Sequence, residues 1–175
     1  MNVTTAKSLC EKEGSVLTTF ENEEERLQLA DALIAGLTQK NQKIGSMLLD
    51  GRRIPTCETQ DLSVLRAFPC NDPTTAFATS DKHTDSTFMF KNWASGEPSS
   101  SFYQQSVLLL FDSKTKLNSY FRDIEACIQF TISPNDKRTK KLNDALCDYS
   151  KGPGNGATVD FWNFGAACGR VAEFK

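Results

Sequence analysis

Six cysteines constrain this chain more than any other feature: Cys10, Cys57, Cys70, Cys127, Cys147 and Cys168. They are even in number and widely spaced, and no two stand in a C-x-x-C arrangement, so the patterns of zinc ligation and thioredoxin-type chemistry are absent. An even set of this kind reads as a disulfide framework, which implies an oxidising, extracellular history. Spacing alone leaves the pairing open. Met1 to Lys7 has neither the charged n-region nor the apolar h-region of a secretory signal, so a secreted chain would have to be trimmed at its start. The alternative is a cytosolic chain with reduced thiols.

At 175 residues, 39% of them hydrophobic, the chain is long enough for one domain with a real core and short for two. Residues 1–175 therefore read as a single domain. The formal net charge is -2, from 20 basic and 22 acidic residues, which offers no electrostatic footprint for nucleic acid or an anionic membrane. No apolar run reaches membrane-spanning length, and Val107 to Phe111 suits a strand.

Ala6, Leu9 and Cys10 fall at helical spacing and Gly14 sits where a left-handed cap would end the turn, which predicts a short helix from about Thr5 to Glu13. Val16 to Phe20 reads as extended. Asn22 with Glu25 makes a capping box that opens a second helix, with Leu27, Ala30, Leu33, Ile34 and Leu37 on one side and its end near Gly36. Ile44 to Leu49 followed by Asp50-Gly51 reads as a strand and a turn. Phe88, Phe90 and Trp93 then give way to the loop chemistry of Gly96, Pro98 and Ser99-Ser100-Ser101. Val107 to Phe111, Ile124 to Ile132 and Ala166 to Phe174 are the remaining strand candidates, with Ser133-Pro134-Asn135-Asp136 as a turn. Two helices followed by short strands and long loops argue an α+β domain with an antiparallel sheet.

Several separated stretches carry a resemblance. Thr5-Ala6-Lys7-Ser8-Leu9-Cys10, Gly14-Ser15-Val16-Leu17 and Glu23-Glu24-Glu25 lie near the start. Leu48-Leu49-Asp50-Gly51-Arg52-Arg53 precedes Cys57. Glu97-Pro98-Ser99, Glu125-Ala126-Cys127-Ile128, Asn143-Asp144-Ala145-Leu146-Cys147 and Ala167-Cys168-Gly169 follow. Together they resemble a C-type lectin-like domain, in particular the secreted family found in nematodes. The resemblance implies a C-type lectin-like fold, with two helices, an antiparallel sheet and a long loop. It also implies bridges from Cys10 to Cys168, Cys57 to Cys70 and Cys127 to Cys147, the long one contributing on the order of 4 to 5 kcal/mol and the short one about 3 kcal/mol on the chain-entropy model. A second register lays Gln105-Ser106-Val107-Leu108 on the family's Gln-Cys-Val strand, at the cost of clear partners for Cys127 and Cys147.

The departures are specific. The family's first strand and the tryptophan usual near Ala6 are missing, and Leu142 stands where the motif's tryptophan would precede Asn143. Ser99 replaces the asparagine of the Glu-Pro-Asn triplet that goes with mannose-type sugars. The stretch from Glu97 to Glu125 is longer than in the family by roughly twenty residues, an insertion placed at Phe102 to Asp123.

The resemblance implies calcium as cofactor, held by Glu97, Ser99, Glu125, Asn143 and Asp144. Calcium takes six to eight oxygen ligands, and this set offers carboxylates for charge with amide and hydroxyl oxygens to complete the sphere. Adjacent hydroxyls of a hexose could then replace water while bonding to Glu97, Glu125, Asn143 and Asp144. The implied function is extracellular glycan recognition, in innate immunity, with glycans or glycoproteins as partners and no catalysis. The alternative is a calcium-independent domain that binds a protein through the inserted loop, whose apolar Val107-Leu108-Leu109-Leu110-Phe111 would make a binding edge.

Other signals reduce to structure. Gly152-Pro153-Gly154-Asn155-Gly156 lacks the Lys-Ser/Thr of a phosphate loop and reads as a turn. Lys137-Arg138-Thr139-Lys140-Lys141 reads as a solvated hairpin, with contact to an anionic glycan as the lesser alternative. His83 is the lone histidine, without a nucleophile motif beside it, and reads as a surface residue. Trp93 reads as a packing anchor. Asn2-Val3-Thr4 is a glycosylation acceptor if the chain is secreted.

Overall fold

In the computed structural model, residues 1–99, 102–103, 123–148 and 163–170 are described. Helix α1 (Val3–Lys12) starts two residues ahead of the expected Thr5, because Asn2 caps it: its Oδ1 accepts from the Thr5 N–H at 2.9 Å. The helix closes as expected on Gly14 at φ +64°, with the Ser15 N–H returning to the Cys10 carbonyl at 2.9 Å. Strand β1 (Val16–Leu17) follows. Helix α2 (Glu23–Gln39) opens on the Asn22–Glu25 cap, where Asn22 Oδ1 accepts from the Glu25 N–H and Glu25 Oε2 from the Glu21 N–H. Glu23, Glu24 and Glu25 in its first turn face the positive end of the helix dipole.

Gly36 does not end α2. The helix continues to Gln39 and stops at Asn41 in the left-handed region, φ +53°, with the Gln42 N–H on the Leu37 carbonyl. Gly36 instead makes room for the Phe164 ring, which a Cβ at that position would strike. The expected turn at Asp50-Gly51 is likewise absent. Strand β2 (Gly45–Arg53) runs straight through it, with an irregular register against its neighbour between Leu49 and Arg52. Gly51, at φ +156°, lets the Ile128 side chain approach where a Cβ would collide.

The segment between Cys57 and Cys70 holds a 3₁₀ turn at Pro55–Cys57 and a short helix, α3 (Leu62–Leu65). Strand β3 (Phe77–Ala78) comes next. Strands β4 (Phe102–Tyr103), β5 (Asp123–Ile132), β6 (Lys141–Leu146), β7 (Asn163–Ala166) and β8 (Cys168–Gly169) complete the described chain. The central sheet pairs β2 with β5 and β5 with β6, both antiparallel, with β3 on β2 and β4 on β5. Its one parallel pair among the described residues is β2 with β7. Strands β1 and β8 form a separate antiparallel pair.

Successive residues of β2 face opposite sides of the sheet, and both sides are covered. Met47 and Leu49 join Leu33 and Leu37 of α2, with Ile128, Phe130 and Leu142, in the main core. Leu48 belongs to a second cluster with Ala6, Cys10 and Leu17 under α1. That explains why residues 45–51 are buried without interruption. The disulfides are Cys10–Cys168, Cys57–Cys70 and Cys127–Cys147. They tie α1 to β8, close the α3 segment, and join β5 to the end of β6. Among the described residues no helix is long and apolar enough to cross a membrane.

The inserted segment read at Phe102 to Asp123 lies almost wholly outside the described residues, as do the Val107 to Phe111 strand, the Gln105–Leu108 register, the Gly152–Gly156 turn and the end of the strand read at Ala166 to Phe174.

Candidate functional site

The loop that carries Glu97 is hung on β6. The Leu142 N–H donates to the Asn92 carbonyl and the Ala94 N–H to the Leu142 carbonyl, both at 3.0 Å, so Trp93 runs as a short parallel bridge beside Leu142. The Trp93 ring lies tilted on Phe77 with centroids 5.1 Å apart and packs against the main core. Leu142, which replaces the motif's tryptophan, is itself fully buried. Past this anchor the chain turns at Gly96, φ +87°, and passes through a cis Glu97–Pro98 bond.

That turn brings three distant stretches together. The Ser99 N–H donates to Asp144 Oδ1 at 3.0 Å, and the Ser99 hydroxyl donates to Glu125 Oε2 at 3.3 Å. Asp144 stands on β6 opposite Ile128 of β5, and Glu125 lies near the start of β5. Asp144 is wholly buried, whereas Ser99 is exposed and Glu97 and Glu125 are half-buried. Asn143 is nearly buried and turned on its own strand, its Nδ2 donating to the Asp144 carbonyl at 2.7 Å.

A residue outside the expected set sits at the centre. Arg53 leaves the irregular end of β2 with its side chain completely buried, and its Nη2 ion-pairs with Asp144 Oδ2 at 3.0 Å, Asp144 being equally buried. Its Nε donates to the Glu125 carbonyl at 3.0 Å. Its Cζ lies 4.6 Å from the centre of the Phe77 ring, which is its cross-strand neighbour on β3. The family-like stretch Leu48 to Arg53 contains this arginine but gives it no site role, because arginine is ordinarily a surface residue and Arg52 beside it is one.

Burial, then the nearby Asp144 charge, push the Glu97 carboxyl up from its ordinary value of 4.5, and Glu97 Oε2 is buried with no hydrogen-bond partner. The basic hairpin is more than a solvated turn. Arg138 bonds to Asp136 at 2.9 Å, and Asp136 first, then Glu97 and Glu125, hold its guanidinium above the usual arginine value. The Lys137 ammonium lies against Gly96. Two cationic side chains therefore flank the Glu97 loop.

As the chain holds it, Asp144 does not fit a calcium ion. Both carboxylate oxygens and the main-chain oxygen of Asp144 already accept from N–H donors, one of them a full cation. A site for calcium needs oxygens from several residues aimed at one point. Among the described residues, no group of three or more His, Cys, Asp or Glu side chains is arranged to hold a metal. His83 is exposed, as expected of a surface histidine.

Comparison with known proteins agrees with the fold. The family described as C-type lectin domain-containing protein 141/158 matches residues 1–171. C-type lectin domain-containing protein 158 of Caenorhabditis elegans is 43% identical over 170 residues, 97% of this chain and 72% of that protein. C-type lectin domain-containing protein 141 of the same organism is 34% identical over 188 residues, again 97% of this chain but 54% of that protein, so the chain spans about half its length. No solved structure matches the chain. With its α+β architecture, its three bridges and a match from end to end, the chain belongs to the C-type lectin domain-containing protein 141/158 family.

Proposed function

We propose that this domain is an extracellular recognition module that binds glycans at the edge where the Glu97–Ser99 loop meets Glu125. The observation that carries the reading is the position of exposed Ser99, whose amide and hydroxyl bridge Asp144 and Glu125. A pyranose presents neighbouring hydroxyls, and a cluster of a serine hydroxyl with half-buried carboxylates offers them acceptors and a donor at one edge. Asp144 and Asn143 act behind this edge as supports, because burial keeps them from direct contact. Recognition of this kind is binding, not catalysis. A few partly exposed hydrogen bonds hold a single sugar near the millimolar region, so use in innate recognition of foreign glycans needs multivalent display. Three disulfides support an oxidising, extracellular setting.

Calcium-dependent glycan binding is the second reading, and one observation favours it: the unpartnered, buried Glu97 Oε2 beside Asp144 is the kind of oxygen a cation would relieve. A glycan array on multimerised oxidised protein, with and without chelator, tests both. We expect signals that fall about tenfold or more in Glu125→Ala and persist in chelator. An array blank in both buffers defeats the glycan reading and turns the search to protein partners.

A further inference from the structure

We infer that Arg53 is the resident cation of this site: its guanidinium stands in the place that a calcium ion would otherwise fill beside Asp144, so ligand recognition at the Glu97–Ser99 edge proceeds without a divalent metal. The inference deepens the glycan reading and uses the same site.

Geometry is the first support. Arg53 is held from three sides, by Asp144 Oδ2, by the Glu125 carbonyl and by the face of Phe77. A guanidinium fixed this way is not a latch that could swing aside for a metal, because it issues from a strand end clamped between β3 and β5. Charge is the second. A divalent ion brought to Asp144 would meet a unit positive charge at contact range inside a buried site, where little solvent screens the repulsion. Arg138 and Lys137 add positive charge on the other side of the Glu97 loop, so the carboxylates already have counter-charges supplied by the chain.

Coordination is the third. Asp144 sits squarely within the expected ligand set, yet the donors on its oxygens are the Arg53 guanidinium, the Ser99 N–H and the Asn143 amide. Each of these bonds organises the loop as a metal would. The Arg53 contact replaces the cation, and the Ser99 N–H fastens the cis Glu97–Pro98 turn to β6. Arg53 is a positioning residue here: it holds the edge that meets the ligand and is itself out of reach of it.

The test is calcium titration by calorimetry, with thermal unfolding in chelator and in millimolar calcium, on the full oxidised chain and on Arg53→Gln. We expect the wild type to take up no calcium and to melt at the same temperature in both buffers. Arg53→Gln, with Asp144 left beside Glu97 and Glu125, should melt several degrees higher in calcium than in chelator. Arg53→Lys, which keeps a cation in place, should fold and stay insensitive. Stoichiometric uptake by the wild type overturns the inference, and so does an Arg53→Gln protein that folds and ignores calcium. Should that variant fold only when calcium is present during refolding, the inference is upheld. The glycan array separates the two readings: binding lost in chelator overturns the role of Arg53 and keeps the lectin, whereas a blank array with a calcium-blind wild type removes the glycan and keeps Arg53.

Discussion

Asp50 and Asp144, both buried, are neutralised in different ways. Asp50, in the irregular stretch of β2, receives the Ser80 N–H at 2.5 Å, the Ser80 hydroxyl at 2.8 Å and the Asp81 N–H at 2.7 Å. All three donors are neutral. The next carboxylate, Asp81, receives the hydroxyls of Thr18 and Thr84 and the His83 N–H. Asp144 instead faces a full cation, Arg53. The first region uses dipoles to stitch a surface loop onto β1 and β2. The second brings an opposite charge into the core at the place where the family resemblance implies a ligand site.

Breaking each arrangement separates them. The largest effect is expected from Arg53→Gln, which leaves Asp144 buried without its counter-charge and should destabilise by about 3 to 5 kcal/mol in urea unfolding at neutral pH. The double variant Arg53→Gln with Asp144→Asn should recover much of that loss, and complete additivity in the double-mutant cycle would sink the claim that the pair acts as a unit. Asp50→Ala should cost less, about 1 to 3 kcal/mol, through backbone donors left without an acceptor.

Acid unfolding sharpens the contrast further. Burial alone would raise the Asp81 carboxyl, but the bonds from Thr18, Thr84 and the His83 N–H together hold it below its ordinary 3.8. Its folded pKa is depressed, so it contributes stability above pH 3.8 that is lost as pH falls through the folded value. Asp81→Asn should therefore flatten the acid limb of a stability profile, and an unchanged limb would count against this network.

The smallest effect belongs to Glu97. Its pKa is raised by burial and by Asp144, so its contribution to stability declines as pH rises from 4.5 through the folded value. Glu97→Gln should melt slightly higher than wild type at pH 8 and almost equally at pH 4. A drop at pH 8 would show that the ionised carboxylate is needed there.

Local rules read the helices well because their causes are local. Asn22 with Glu25, and Gly14 after Cys10, act within a turn or two of chain. The same rules misread Gly36 as a helix end and Gly51 as a turn, since each is glycine for the sake of a distant side chain, Phe164 in one case and Ile128 in the other. The candidate site divides along the same line. Glu97, Ser99, Glu125 and Asp144 could be nominated from motifs, and Ser99 is found beside Glu125 and Asp144. Nothing near Arg53 in the chain announces that it joins them.

What the amino-acid sequence determined by itself is the inventory: six cysteines for a bridged domain, two capped amphipathic helices, and polar loop residues of the types a ligand site requires. What only the tertiary structure decided is which charges meet. Arg53 reaches Asp144 across 91 positions of sequence because β2 runs through Gly51 with a shifted register and pairs its last residue with Phe77. The energy of a buried ion pair depends on distance and desolvation, and those are set by how strands pack, which residue order alone does not express.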